Sequence, residues 1–207
     1  MKLVLTFAFS VLAGVASAAT QYDDRTAFEA ATASLTTETF DGFTSDVSLA
    51  ATTYDVGDFS ITTTLNNSLL KIDADGGDGH TVNGTAFVRG VGVANDMFTY
   101  IFDTAITAFG VDLFGFNDDE ERTRIVIGGN TYTLPVVTGT QNSFFGFTSD
   151  TAFTSVSFNT IAAEDGGFDN ISYGVSVVPV PAAGLLLLSG LGAIGAVSRR
   201  RKSRAKS

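Results

Sequence analysis

Apolar and polar residues alternate through the middle of the chain, a pattern typical of β-strands that bury one face. Phe and Thr, which favour strands, occupy many of these positions, and Gly, Asn and Asp separate the segments. The alternating segments are 59–65, 98–102, 109–113, 124–134, 156–158 and 171–177. Within 124–134, Gly128-Gly129-Asn130 predicts a hairpin. We therefore predict an all-β fold, specifically a jelly-roll-like β-sandwich, and the lack of a fixed repeat argues against a solenoid.

One segment near the N-terminus departs from this alternation. Within 22–35, Phe28 and Leu35 fall on one helical face, and Thr26 and Glu29 have the spacing of a capping box. We predict a short helix over this segment.

The composition excludes several classes of protein. The 207 residues include 22 Asp and Glu against 12 Lys and Arg, for a formal charge of −10, with no Cys and one His. An acidic chain of this kind lacks the basic face that a nucleic-acid-binding protein needs. Without Cys there is no disulfide scaffold, thiolate metal site or Cys nucleophile, and a single His excludes multi-His metal centres.

Residues 1–18 have the features of a secretory signal peptide. Lys2 supplies a short positive start, residues 3–15 are mainly apolar, and Ala16-Ser17-Ala18 provides small residues at the cleavage position. We expect signal peptidase to cut between Ala18 and Ala19. The alternative is that this segment forms a buried N-terminal helix.

The C-terminal end predicts a membrane segment. Residues 182–198 carry no charge and, as a helix, would span about 25 Å, somewhat less than a hydrocarbon core of ~30 Å. The following residues, 199–207, contain six Lys and Arg, as expected for a tail left in the cytoplasm. The tail opens with Arg199, Arg200, Arg201 and Lys202. The simplest interpretation is a C-terminal membrane anchor.

A short proline-containing motif precedes the apolar run, and the three parts together resemble a PEP-CTERM sorting signal of the VPLPA variant. The motif, at positions 178–182, differs from VPLPA only by Val in place of Leu. Its residues are Val178, Pro179, Val180, Pro181 and Ala182. The resemblance covers residues 178–207. It implies export in a Gram-negative bacterium, transient anchoring in the inner membrane, and cleavage by an exosortase-type enzyme that releases the protein to the cell surface or extracellular matrix.

The segment between the two ends, residues 19–177, is the predicted β-sandwich ectodomain. It holds all 22 acidic residues and only five basic ones, so its formal charge is −17. The whole-chain charge of −10 therefore averages a strongly acidic exported domain with a basic tail.

The end of this ectodomain suggests a metal site. The segment 168–173 is similar to the last strand of jelly-roll carbohydrate-binding modules. That resemblance implies that Asp169, together with an early acid such as Glu38 or Asp41, helps to hold a structural calcium ion. We take Asp41 and Asp169 as the metal candidates. The alternative is that Asp169 only forms an Asx-type turn into the final strand.

The other acidic segments predict solvated loops. Residues 73–80 lack the oxygen ligands that an EF-hand requires at its fifth and twelfth positions. The run 118–121 and the pair Glu164-Asp165 are also assigned to hydrated loops. The sequence has no GxSxG nucleophile motif for which His80 could act as the catalytic base. We therefore predict no catalytic residue.

These observations favour a non-enzymatic surface or matrix protein, which the resemblance associates with exopolysaccharide or biofilm. A carbohydrate-binding module is the alternative, although the absence of Trp and the scattered positions of the five Tyr weaken it. A glycoside hydrolase with two carboxyl groups across a sugar cleft is the third choice.

Overall fold

The computed structural model describes residues 19–176, except residues 78, 94, 95, 119, 138 and 140. The predicted signal peptide (1–18) and sorting signal (178–207) lie outside the described residues. The strands are β1 (Ala19–Tyr22), β2 (Thr32–Glu38), β3 (Val47–Ser48), β4 (Thr53–Asp55), β5 (Phe59–Thr62), β6 (Lys71–Asp73), β7 (Phe87–Val93), β8 (Asp96–Phe114), β9 (Thr123–Ile127), β10 (Asn130–Thr133), β11 (Asn142–Thr160) and β12 (Ala163–Ser176). The helix α1 comprises Arg25–Ala30.

All of these strands belong to one hydrogen-bonded sheet, and each pairing between them is antiparallel. The main path runs β10-β9-β11-β8-β12-β7-β6-β3, and β1, β2, β4 and β5 pair off this path. The all-β prediction is confirmed. The hairpin at Gly128-Gly129-Asn130 is also confirmed, because β9 pairs with β10.

Three long strands organise the sheet, because each changes neighbours along its length. The strand β8 pairs with β11 on both sides of residues 102–105, and its other edge pairs first with β5 and then with β12. The strand β11 pairs with β1 and then with β9, and β12 pairs with β7 and then with β2. The register of β8 with β11 shifts on both sides of Phe153. These shifts mark β-bulges, which bend a strand and increase its twist.

Phenylalanine is the most frequent residue in the core of this sheet. On β12, Phe168 is fully buried, and its ring lies 4.3 Å from Phe116, 4.6 Å from Phe158 and 4.8 Å from Phe98 between centroids. Such tilted and edge-on aromatic pairs add to the gain from area burial alone. The alternation seen in the sequence therefore marks the faces that fill this core, as in β9, where Ile125 and Ile127 are buried.

The predicted N-terminal helix is present but much shorter than expected. Its N-cap is Asp24, whose Oδ1 accepts a hydrogen bond from the backbone N–H of Ala27 at 2.8 Å, so the predicted capping role of Thr26 is wrong. Leu35 does not continue the helix, because it lies in β2 and pairs with Gly174 of β12. The many β-branched Thr residues in β2 suit a strand better than a helix.

The loop predicted at Glu164-Asp165 is also wrong. Both residues belong to β12, and Glu164 is buried. Further along β12, Gly167 passes close to the backbone oxygen of His80. A Cβ at this position would overlap that oxygen, so the close approach requires glycine. Composition alone suggested an acidic, glycine-rich turn, whereas this close backbone approach uses the glycine inside a strand.

Candidate functional site

The candidate metal residue Asp169 lies where β12 passes β8. Its pairing partner in the register is Asp112 of β8, and the register shifts directly after it. The next residue, Asn170, has a φ of +50°, in the left-handed region that non-glycine residues rarely occupy. The side chain of Asp169 is fully buried, and its Oδ1 accepts a hydrogen bond of 2.6 Å from the backbone N–H of Asn170. The alternative, an Asx-type turn into the final strand, is wrong, because Asp169 lies within β12 and its side chain bonds the N–H of the very next residue. That hydrogen bond uses only one of the two carboxyl oxygens.

The second carboxyl oxygen of Asp169 is unsatisfied. Among the described residues, Oδ2 has no hydrogen-bond partner, although it is buried. Burial raises the pKa of Asp169 to about 7, against the lowering effect of the Asn170 N–H, and the carboxylates of Asp41 and Asp112 raise it further. A buried carboxyl group with an unpaired oxygen is costly, and it normally finds a proton, a cation or a hydrogen-bond donor.

The second predicted residue, Asp41, acts on Asp169 electrostatically, since its charge raises the pKa of the Asp169 carboxyl. Asp41 is exposed and follows Phe40, a buried residue with a φ of +59°. In the described part of the chain, no hydrogen bond or ion pair involves the carboxylate of Asp41. The other early acid, Glu38, has its Oε1 2.6 Å from the backbone N–H of Phe40. Its carboxylate helps to hold the loop, and Asp41 is the freer of the two.

A neighbouring ion pair was missed in the sequence. The guanidinium group of Arg25 donates from Nε to Oδ1 of Asp112 at 3.1 Å and lies 3.0 Å from its Oδ2. The same group donates to the hydroxyl of Ser172 and to the backbone oxygen of Asn170, both at 2.9 Å. Helix α1 is thereby fixed to β8 and β12 beside the candidate site. An aspartate at position 112, within an otherwise apolar alternation, was the available signal.

A second polar atom without a partner lies near this site. The hydroxyl of the fully buried Tyr100 makes no hydrogen bond among the described residues. Burial raises the pKa of Tyr100 well above its ordinary value, and the charge of Asp169 raises it further. The carboxylate oxygens of Asp169 and Asp41 are ligands of the type that Ca²⁺ uses.

Another acidic cluster was only partly anticipated. Carboxylate oxygens of Asp46, Asp73 and Asp75 lie within 4.8 Å of one another. The ammonium group of Lys71 lies 2.7 Å from Oδ2 of Asp46 and 3.0 Å from Oδ2 of Asp73. The backbone N–H of Gly76 donates to Asp73 Oδ1 at 3.1 Å, as in a turn. The prediction that Asp73 is solvated is wrong, because Asp73 ends β6 and is fully buried. The lysine already supplies positive charge to this cluster.

A polar cavity of about 300 Å³ lies between the C-terminal end of β12, strand β2 and the bend of β8. The hydroxyl of Tyr173 donates to Oδ2 of Asp58 at 3.0 Å. Burial, together with Asp58, raises the pKa of Tyr173. This cavity was not predicted from the sequence, because its walls come from four separate segments, at 34–36, 58, 102–106 and 173–175.

A further cavity of about 310 Å³ contains the buried carboxyl group of Glu164. Burial raises the pKa of Glu164, partly offset by a hydrogen bond with the Asn117 backbone and by the charge of Arg122. Its Oε1 lies 3.9 Å from a guanidinium nitrogen of Arg122, and Asp118 also lines the cavity.

No protein-family model matches the chain, and no curated protein is detectably similar to it in sequence. Within the described range, no helix is long and apolar enough to cross a membrane.

Proposed function

We propose that this chain is an exported, non-enzymatic surface or matrix protein with a jelly-roll-like β-sandwich stabilised by a calcium ion between Asp41 and Asp169. The observation that carries the calcium assignment is the fully buried carboxyl group of Asp169, whose Oδ2 has no hydrogen-bond partner among the described residues. The association with exopolysaccharide or biofilm rests on the sequence resemblance.

The electrostatics of the site support a cation. The carboxylates of Asp41 and Asp112 both raise the pKa of Asp169, and Arg25 compensates only in part. Carboxylate oxygens of Asp169 and Asp41 would coordinate a bound Ca²⁺, and its charge would favour the ionised form of Asp169. Both acids also adjoin residues with positive φ, Asn170 and Phe40, and such strained positions are common at ligand sites.

Calcium titration by calorimetry at pH 8 tests this assignment. We expect one calcium site in the purified protein and its loss in Asp169→Asn, because the amide cannot supply the ionised oxygen. The matched control is Asp23→Asn, which removes the same charge from an exposed position. Equal calcium binding by wild type and Asp169→Asn would disprove the site.

We further propose that the sorting signal directs processing. Signal peptidase would cut between Ala18 and Ala19, and an exosortase-like enzyme would cut near 178–182 and remove the transient membrane anchor. The support is the tripartite pattern of motif, apolar run and basic tail. Mass spectrometry of the protein from its native host should show a C-terminus near the motif. An intact tail through 199–207 would refute processing and favour a permanent anchor.

A carbohydrate-binding module is the alternative function. The specific support is the cavity that contains Asp58 and Tyr173, since hydroxyl and carboxylate groups around an apolar wall suit a polyhydroxylated ligand.

A glycoside hydrolase is the third proposal. It is supported by Glu164, a buried acid with a raised pKa that shares a cavity with Asp118. Release of reducing sugar that persists unchanged in Glu164→Gln would argue against this site.

A further inference from the structure

The cavity at the end of β12 presents polar groups from four segments of the chain. Thr36 and Ser34 of β2 lie opposite Tyr173 and Val175 of β12 in the register. Because strand residues two apart share a face, these four side chains lie on one side of the sheet. Asp58 and residues 103–106 of β8 complete the wall of the cavity on this side of the sheet.

Hydrogen bonds position the acidic wall of this cavity. The backbone N–H of Asp103 donates to the backbone oxygen of Asp58 at 3.1 Å, which places the two residues side by side. The hydroxyl of Tyr173 is directed to Oδ2 of Asp58. The carboxylate of Asp103 is exposed and makes no hydrogen bond or ion pair within the described part of the chain. The cavity therefore holds one anchored carboxylate and one available carboxylate.

Within the part of the chain that the structure describes, no basic side chain pairs with these two acids. The described range contains five basic residues, and every one of them forms an ion pair with acids outside the cavity. They are Arg25, Lys71, Arg89, Arg122 and Arg124. None of the described cavity-lining residues is basic. A ligand that carries its own positive charge is thus favoured over a neutral or anionic one.

The size and lining indicate what else the ligand carries. A volume of about 300 Å³ is far larger than a metal ion needs and lies at the lower end of small-molecule sites. The hydroxyl groups of Ser34, Thr36 and Thr104 can exchange hydrogen bonds with ligand hydroxyls, while Val175, 48% exposed, offers an apolar surface. These features suit a sugar ring.

We propose that this cavity binds an amino sugar with a free ammonium group, which Asp103 pairs with while Ser34, Thr36 and Asp58 hydrogen-bond to the ring hydroxyls. This inference deepens the carbohydrate-binding alternative and rests on it. It assigns the ligand class from the charge of the cavity and gives Asp103 the discriminating role.

The test compares a glucosamine tetrasaccharide with its fully N-acetylated counterpart, titrated calorimetrically into the full chain in detergent solution with EGTA present. Acetylation removes the ammonium charge and leaves the ring hydroxyls. We expect the glucosamine form to bind at least about tenfold more tightly. Asp103→Asn should abolish this preference, whereas Asp23→Asn, which loses the same charge at an exposed position outside the cavity, should retain it.

Each other outcome overturns the proposal in a distinguishable way. Equal binding of the two sugars would leave a carbohydrate-binding module without amine selectivity, and binding of neither would reject the module as well. Equal weakening by Asp103→Asn and Asp23→Asn would indicate non-specific attraction to an acidic protein. Displacement of the sugar by added Ca²⁺, lost in Asp103→Asn, would reassign the cavity to a metal. Calcium binding at Asp169 is measured separately, so its result does not depend on this one.

Discussion

At the scale of single residues, the candidate calcium site combines what the sequence could and could not supply. Asp41 and Asp169 were predictable because the closing segment resembles a known type of strand. Asp112, Arg25 and Tyr100 were not predicted, because their proximity to Asp169 depends on pairing between strands far apart in the chain. Burial, which gives Asp169 its raised pKa, also follows from the tertiary fold and has no local sequence signature.

The raised pKa of Asp169 predicts how stability depends on pH without calcium. In the folded protein this carboxyl group keeps its proton up to about pH 7, whereas in the unfolded chain it ionises near pH 4. Between these values the folded state binds more protons, so the stability that the group contributes falls as pH rises. Urea unfolding in EGTA should show a loss on the order of 2–4 kcal/mol between pH 4 and 7 from this group.

The variant Asp169→Asn provides the control for that pH dependence. It should flatten the slope without removing it, because burial also raises the pKa of Glu164 and contributes with the same sign. Asp23→Asn should leave the slope as in the wild type. Identical slopes in Asp169→Asn and wild type would show that Asp169 does not titrate as its burial implies.

At the scale of elements, the sequence predicted strands well and their extents poorly. The alternation located the buried faces of β5 and β9, since side-chain burial follows a period of two. At the end of β12 it held only in part, because Ile171 and Tyr173 are buried but Val175 is exposed. It did not predict that β8 and β11 continue for 19 residues each through a bend. Bulges, as at Phe153, interrupt the period and make one bent strand look like two short ones.

The close passage of β12 at Gly167 predicts a large effect from one methyl group. In Gly167→Ala the new Cβ would overlap the backbone oxygen of His80, and backbone atoms cannot move aside as the end of a side chain can. We expect the free energy of unfolding to fall by about 2 kcal/mol or more, measured by urea denaturation. Gly42→Ala is the matched control, because its Cβ would meet no atom within 4 Å, and it should change stability by less than about 0.5 kcal/mol. Similar losses in both variants would contradict the close approach.

At the scale of the whole molecule, charge connects the proposals. The segment 19–177 has a formal charge of −17, and its five basic residues are all used in ion pairs. Cations from outside the chain would therefore relieve its self-repulsion, either as calcium at Asp169 or as an ammonium group at Asp103. Sequence composition predicted this overall acidity. The location of the uncompensated carboxylates required the fold, because it depends on which acids the arginines and the lysine reach.

The most direct test of the central claim is a thermal unfolding experiment at pH 8 with millimolar Ca²⁺ and then with excess EGTA. Because calcium would bind only the folded state, the account predicts a higher midpoint in Ca²⁺ that EGTA reverses, and no such shift in Asp169→Asn. An unchanged midpoint in the wild-type protein would contradict the calcium site at Asp41 and Asp169.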